Sequence, residues 1–247
     1  MPNLFRLCLL VLFASRALAG VELQPDFAKA LKHFRAEGAK HWGFTQSTNA
    51  RKGSLIERFD PSRPDGKRWT LVQKDGHVPT EKEATEYAQK QTRRSSNDTA
   101  PDVTKQLNLS SAELVSDDAE HITYRFHLNP GDKDDTTAPF LVATFQFHKP
   151  TKTIDRIELG NTEPFSPMMV VKIQEARTTI KYTLPTAERP SLLEEITMRV
   201  RGRAMLFKSL DEDMTIAYSN YQYEGPAASA LVGTTSEQPR ATAPAAH

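Results

Sequence analysis

From residue 121 onward the chain alternates. Ile122, Tyr124, Phe126 and Leu128 are apolar, and His121, Thr123, Arg125 and His127 between them are polar. Leu141, Ala143, Phe145 and Phe147 repeat the pattern against Val142, Thr144, Gln146 and His148. A period of two places successive side chains on opposite faces of a strand, so these segments predict strands with one oily and one wet face. Asn129 to Asp135, with Pro130-Gly131 and clustered aspartates, predicts the hairpin loop between them. Thr153 to Leu159 predicts a further strand. Met168 to Leu184 predicts a long one whose apolar parity changes between Val171, Ile173 and Ile180, Tyr182, Leu184, which calls for a bulge near Glu175 to Thr179. Leu192 to Phe207 alternates Ile196, Met198, Val200, Gly202, Ala204 and Leu206 with Thr197, Arg199, Arg201 and Arg203. Met214, Ile216 and Tyr218 close the series, with Tyr221 and Tyr223 at its end.

The first half of the chain carries a different rhythm. Phe27, Ala30, Leu31 and Phe34 fall on one helical face, predicting a helix over Pro25 to Glu37 that stops near Gly38. Three strands are predicted over His41–Thr48, Ser54–Asp60 and Arg68–Gln73, separated by turn residues at 49–53, 61–66 and Asp75-Gly76. Thr80 with Glu83 three residues on is a capping box, and Ala84, Tyr87 and Ala88 share a face of the helix it starts, which should run to about Arg94. Ser95 to Pro101 is polar and predicts a connector. The elements sum to an α+β fold: a large curled antiparallel sheet of about ten strands, an open or half barrel, covered by two or three helices.

The termini fix the expected compartment. Arg6, the apolar run Leu7 to Phe13 and Ala17-Leu18-Ala19 have the form of a cleaved export signal over residues 1–19. A single curled-sheet domain is then expected over 20–224, and a disordered Ala-, Thr-, Ser- and Pro-rich tail over 225–247. The one cysteine, Cys8, lies inside the signal. A mature chain without thiols fits the bacterial periplasm better than eukaryotic secretion, where small domains lean on disulfides. The chain has 32 basic and 31 acidic residues, and cleavage removes Arg6 and Arg16, so no overall positive field remains for nucleic acid. An integral membrane protein is not expected either.

Catalytic signatures are lacking. No Gly-x-Ser-x-Gly elbow, glycine-rich phosphate loop or His-Glu-x-x-His pair occurs, and no cofactor, metal or enzymatic activity is expected. His121 and His127 share a strand face, but six residues separate them by about 20 Å, too far for one zinc ion. His148 can approach one of them across the hairpin. Asp132, Asp134 and Asp135 lack the twelfth-position glutamate of a calcium loop. Two binding features remain. The oily face carries Phe126, Phe145, Phe147, Met198, Val200 and Met214, adaptable side chains suited to lining an apolar pocket under amphipathic helices. The wet face carries a basic row, Arg199, Arg201 and Arg203, suited to an acidic partner or explained by cross-strand ion pairs.

The order of elements, an export signal, an N-terminal helix, three strands, a helical excursion and a long meander, resembles the lipoprotein-carrier fold of periplasmic LolA and outer-membrane LolB. The resemblance covers Gly20 to Glu224 and is architectural. The stretch from Phe59-Asp60-Pro61 through Gly66-Lys67-Arg68-Trp69-Thr70-Leu71 to Asp75-Gly76-His77-Val78-Pro79-Thr80 also resembles secreted proteobacterial proteins that bring no activity with them. The resemblance implies a soluble periplasmic carrier that holds a lipid, acyl chain or other apolar ligand between sheet and helices. An envelope protein-interaction module that uses the arginine row, without catalysis, is the other reading.

Overall fold

The computed structural model describes residues 21–34, 41–93, 103–131, 135–205 and 208–225. The predicted export signal, the predicted connector at 95–101, Asp132, Asp134 and the tail from 226 onward lie outside the described residues. Helix α1 (Pro25–His33) precedes β1 (Trp42–Ala50), β2 (Gly53–Phe59) and β3 (Trp69–Lys74), and α2 (Glu81–Arg93) follows them. Then come β4 (Glu113–Asp117), β5 (His121–His127), β6 (Leu141–His148), β7 (Thr153–Asn161), β8 (Phe165–Met168), β9 (Val171–Tyr182), β10 (Leu193–Ala204), β11 (Lys208–Ser209) and β12 (Glu212–Tyr223).

All twelve strands belong to one curled antiparallel sheet, whose main path runs β3-β2-β1-β12-β10-β9-β7-β6-β5-β4; β8 and β11 hang on β9 and β10. β3 and β4 are its two ends, so the sheet stays open and does not close into a barrel. The pairing of β1 with β12, Thr48 opposite Ile216 for example, joins the beginning of the chain to its end.

Register turns the period-two pattern into continuous rows of side chains. One row on the apolar face runs across eight strands: Tyr124, Phe145, Ile157, Ile180, Ile196, Ile216, Thr48 and Leu55, each opposite the next. The neighbouring row carries Phe126, Ala143, Leu159, Thr178, Met198, Met214 and Ala50. Burial is concentrated at one end. Phe126, Phe145, Phe147, Ile157 and Tyr124 are fully or nearly fully buried together with Phe27 and Leu31 of α1.

Several boundaries differ from the sequence pattern, each for a local reason. The run predicted as one strand from Met168 is cut by an exposed turn. Met168, Met169 and Val170 are 62%, 101% and 58% accessible, so their apolar character reflects no burial. The parity change in β9 is a bulge at Gln174, slightly earlier than expected, where the register steps from Glu175 to Ile173 opposite Arg201 and Gly202. Asn161 of β7 stabilises it: its Oδ1 accepts from the Ala176 amide at 2.6 Å and its Nδ2 donates to the Gln174 carbonyl at 3.1 Å. Gly202 is required there, because a β-carbon would stand 2.7 Å from the Lys172 carbonyl oxygen. β10 ends at Ala204, where Met205 takes a φ of 47°. The edge strand β4 had no signal, since every residue in it is exposed and burial does not alternate.

Phe27 stacks, tilts or meets edge-on with Phe126, Tyr124 and Phe147 at centroid distances of 6.3, 4.7 and 5.9 Å. Phe27→Ala leaves a cavity where α1 enters this cluster, and a loss of about 3–5 kcal/mol is expected in chemical denaturation.

Candidate functional site

The two helices lie on the same sheet face at different ends. α1 begins with Pro25 at its first turn, and Gln24 caps it, Oε1 accepting from the Phe27 amide at 2.7 Å. The Gln24 amide donates to the Tyr124 hydroxyl at 3.0 Å, Lys152 pairs with Asp26 at 2.9 Å, and Phe34 meets Tyr182 edge-on at 5.5 Å. A nine-residue helix is about 14 Å long, the width of about three strands. That matches the fully buried set on β5, β6 and β7.

α2 is held over the opposite end. The predicted capping box forms: Glu83 accepts from the Thr80 amide at 3.0 Å and Thr80 Oγ1 accepts from the Glu83 amide at 3.3 Å. Glu83 also pairs with Lys74 of β3 at 2.7 Å, so the cap residue doubles as a tether to the sheet. The Lys74 hydrogen bond, followed by those from Thr80 and His77, holds the Glu83 carboxyl well below the ordinary glutamate value. Further along α2, the Tyr87 hydroxyl donates to Glu57 Oε1 at 2.6 Å.

Between α2 and the sheet is a cleft of about 450 Å³. Leu55, Leu71, Met214 and Ile216 supply its apolar lining; Gln46, Glu57, Tyr87 and Gln91 are among its polar groups. Glu57 is 5% accessible, in a register row with Leu71, Gln46 and Tyr218. Burial, with the Glu57 charge adding to it, pushes the Tyr218 hydroxyl up to about 12. Beside the cleft, Phe44 gathers Phe59, Trp69, Tyr218 and Tyr221 at 5.0 to 5.7 Å.

Between the two helix-covered ends, the apolar rows lose their burial. Ile180, Ile196 and Ile216 are half-buried where Tyr124, Phe145 and Ile157 in the same row are buried, and Met198, Val200 and Met214 are half-buried too. The predicted lining residues therefore fall into two groups. Phe126, Phe145 and Phe147 are 0% accessible inside the packed cluster under α1. Met198, Val200 and Met214 lie on the partly open middle of the face, with Met214 in the cleft itself and Met198 directly opposite it.

The arginine row is on the other face, and acids sit among its members. Arg199 and Arg201 both bond Asp213, at 3.3 and 2.7 Å, which draws the Asp213 carboxyl below its usual value. Arg201 also donates to the Val200 and Glu212 carbonyls. Next to them Arg177 is bonded to Glu158. Arg203 lies opposite Lys172. Cross-strand pairing thus satisfies two of the three arginines.

Among the described residues, His121, His148 and Asp135 are engaged by their neighbours. His121 and His148 are register partners with rings 5.2 Å apart; His121 Nε2 is 3.2 Å from Asp155 and His148 Nδ1 is 2.7 Å from Thr151 Oγ1. Among the described residues no group of three or more histidine, cysteine or acidic side chains is placed to hold a metal ion. Asp135 is engaged by its own loop, accepting from Thr137 Oγ1 and from the Gly131, Thr137 and Ala138 amides, which lowers its carboxyl to about 2. Among the described residues no helix is long and apolar enough to cross a membrane.

Sequence reasoning passed over Glu57 and Gln46. The signal existed: Glu57 occupies the parity position between Leu55 and Phe59, a charge in an otherwise oily series. No protein-family profile matches the chain, and no curated protein or solved structure matches it either.

Because the folded-state value of Glu83 lies below its unfolded one, its tether contributes fully above the ordinary value of 4.5 and is lost as pH falls through the depressed one. Protection factors of α2 amides, corrected for intrinsic exchange, should therefore decline from about pH 4.5 downward. In Glu83→Gln they should be low already at pH 7 and change little with acid.

Proposed function

We propose that this protein is a soluble periplasmic binding or carrier protein for a lipid, acyl chain or other apolar ligand, and that it is not an enzyme. The ligand lies along the middle of the apolar face and under α2. One observation carries the reading: within a single row of facing side chains, burial falls from Tyr124, Phe145 and Ile157 to the half-buried Ile180, Ile196 and Ile216, beside a 450 Å³ cleft. That volume is within the range of about 300–1,000 Å³ common for small-molecule sites. Met198 and Met214, opposite each other, give the strip unbranched side chains that adjust to a flexible chain.

Met198, Val200 and Met214 are assigned the lining. Phe126, Phe145 and Phe147 are assigned the wall behind it, which fixes the sheet's shape without touching ligand. The LolA- and LolB-like order of elements, helices laid over a curled sheet after an export signal, agrees with this use. An interaction module working through Arg199, Arg201 and Arg203 has less to draw on, because Asp213 already engages two of them.

Organic extraction of the purified protein should release a bound amphiphile identifiable by mass spectrometry. Met198→Asp and Met214→Asp should each weaken binding of a fluorescent fatty-acyl probe at least about tenfold with little change in melting, since neither residue is in the packed cluster. Phe145→Asp should unfold the protein instead. An extract without lipid together with no binding of the probe would overturn the proposal.

A further inference from the structure

Glu57 is the one acidic residue among the buried polar side chains of the described chain, and it lines the cleft. Each carboxylate oxygen has a single protein donor, and both donors are neutral: the Tyr87 hydroxyl at 2.6 Å on Oε1 and the Gln46 amide at 3.1 Å on Oε2. An ionised carboxylate offers about four acceptor positions, and protein donors occupy two of them. Removing such a charge from water is costly unless a cation and further hydrogen bonds compensate it. Two cations, Lys74 and Lys90, line the same cleft, but neither is paired with Glu57. Lys74 is held by Glu83 at 2.7 Å. Among the described residues no lysine, arginine or histidine forms an ion pair with Glu57.

We infer that Glu57 is the head-group receptor of the cleft and that its ligand class is an amphiphile bearing a primary ammonium group. This rests on the apolar-ligand reading and specifies it. An ammonium brings the missing charge and up to three N–H donors to the open acceptor positions. Leu55, Leu71, Met214 and Ile216, lining the same cleft, take the first part of the chain, and the half-buried strip on β10 and β9 takes its continuation. A metal ion is not indicated, since no second and third ligand accompany the carboxylate among the described residues. An anionic head group would meet the buried Glu57 as a like charge and be repelled by it.

The test uses three probes with one chain, decylamine, decanol and decanoate, titrated calorimetrically at pH 7 below their aggregation limits. They are applied to the wild-type protein, Glu57→Gln and Tyr87→Phe, with melting curves alongside. The wild type should bind decylamine at least about tenfold more tightly than decanol, and decanoate most weakly. Glu57→Gln should reduce the amine preference to less than about threefold while decanol affinity stays unchanged. Tyr87→Phe perturbs the same network but keeps the charge, so it should retain the preference. Decanol binding as tightly as decylamine, or the preference surviving in Glu57→Gln, would overturn this inference and leave the apolar-ligand reading standing. Equal loss of preference in both variants would assign the effect to structure and also overturn it. If none of the three probes bound, both readings would fall together.

Discussion

An antiparallel sheet with one oily face has to be covered, and this one is wider than its covers. Ten strands on the main path span about 43 Å between the two edges at the usual strand spacing. α1 and α2, of nine and thirteen residues, are about 14 and 20 Å long, and they sit at opposite ends. Even laid straight across the strands, the two described helices leave the middle of the face less buried than its α1 end. The distribution of burial follows from this mismatch. Below α1 the aromatic side chains interlock to full burial, while Ile180 of β9, Ile196, Met198 and Val200 of β10, and Met214 and Ile216 of β12 are half-buried.

The wet face obeys the opposite rule. Its charges lie in water and match across strands, Lys181 with Glu195 at 2.8 Å and Arg201 with Asp213 at 2.7 Å. Such exposed pairs contribute little individually, typically about 0–1 kcal/mol, and they neutralise what looks in sequence like a basic stripe. The charge with consequence is on the other side. Glu57 is the buried carboxylate of a cleft whose lining also carries Lys74, Glu83, Glu86 and Lys90, and it is held by two neutral donors.

Much of the architecture was legible in residues 21–225. The alternation of Ile122 to Leu128 and of Leu141 to Phe147 marked β5 and β6 because a strand with one buried face cannot tolerate another order. Thr80 and Glu83 marked the start of α2 because the capping box is a local exchange of hydrogen bonds. Elements without a burial contrast were not legible: β4 is exposed along its whole length, and the apolar turn Met168 to Val170 imitates a strand. The candidate site was half legible. Met198, Val200 and Met214 were visible as apolar parity positions, but nothing local separated them from Phe126, Phe145 and Phe147, which share that parity.

By itself, then, the sequence determined which side chains of the alternating strands share a face, where α2 begins, and that the fold is a curled antiparallel sheet with helical cover. These properties depend on neighbours two to four positions away. Tertiary structure alone decided that β1 pairs with β12, that α1 seals one end of the face and α2 the other, and that Glu57 of β2 meets Gln46 of β1 and Tyr87 of α2. These depend on register and packing between segments that are, at their widest, 175 and more residues apart, and no local pattern encodes how far a short helix can reach across a wide sheet.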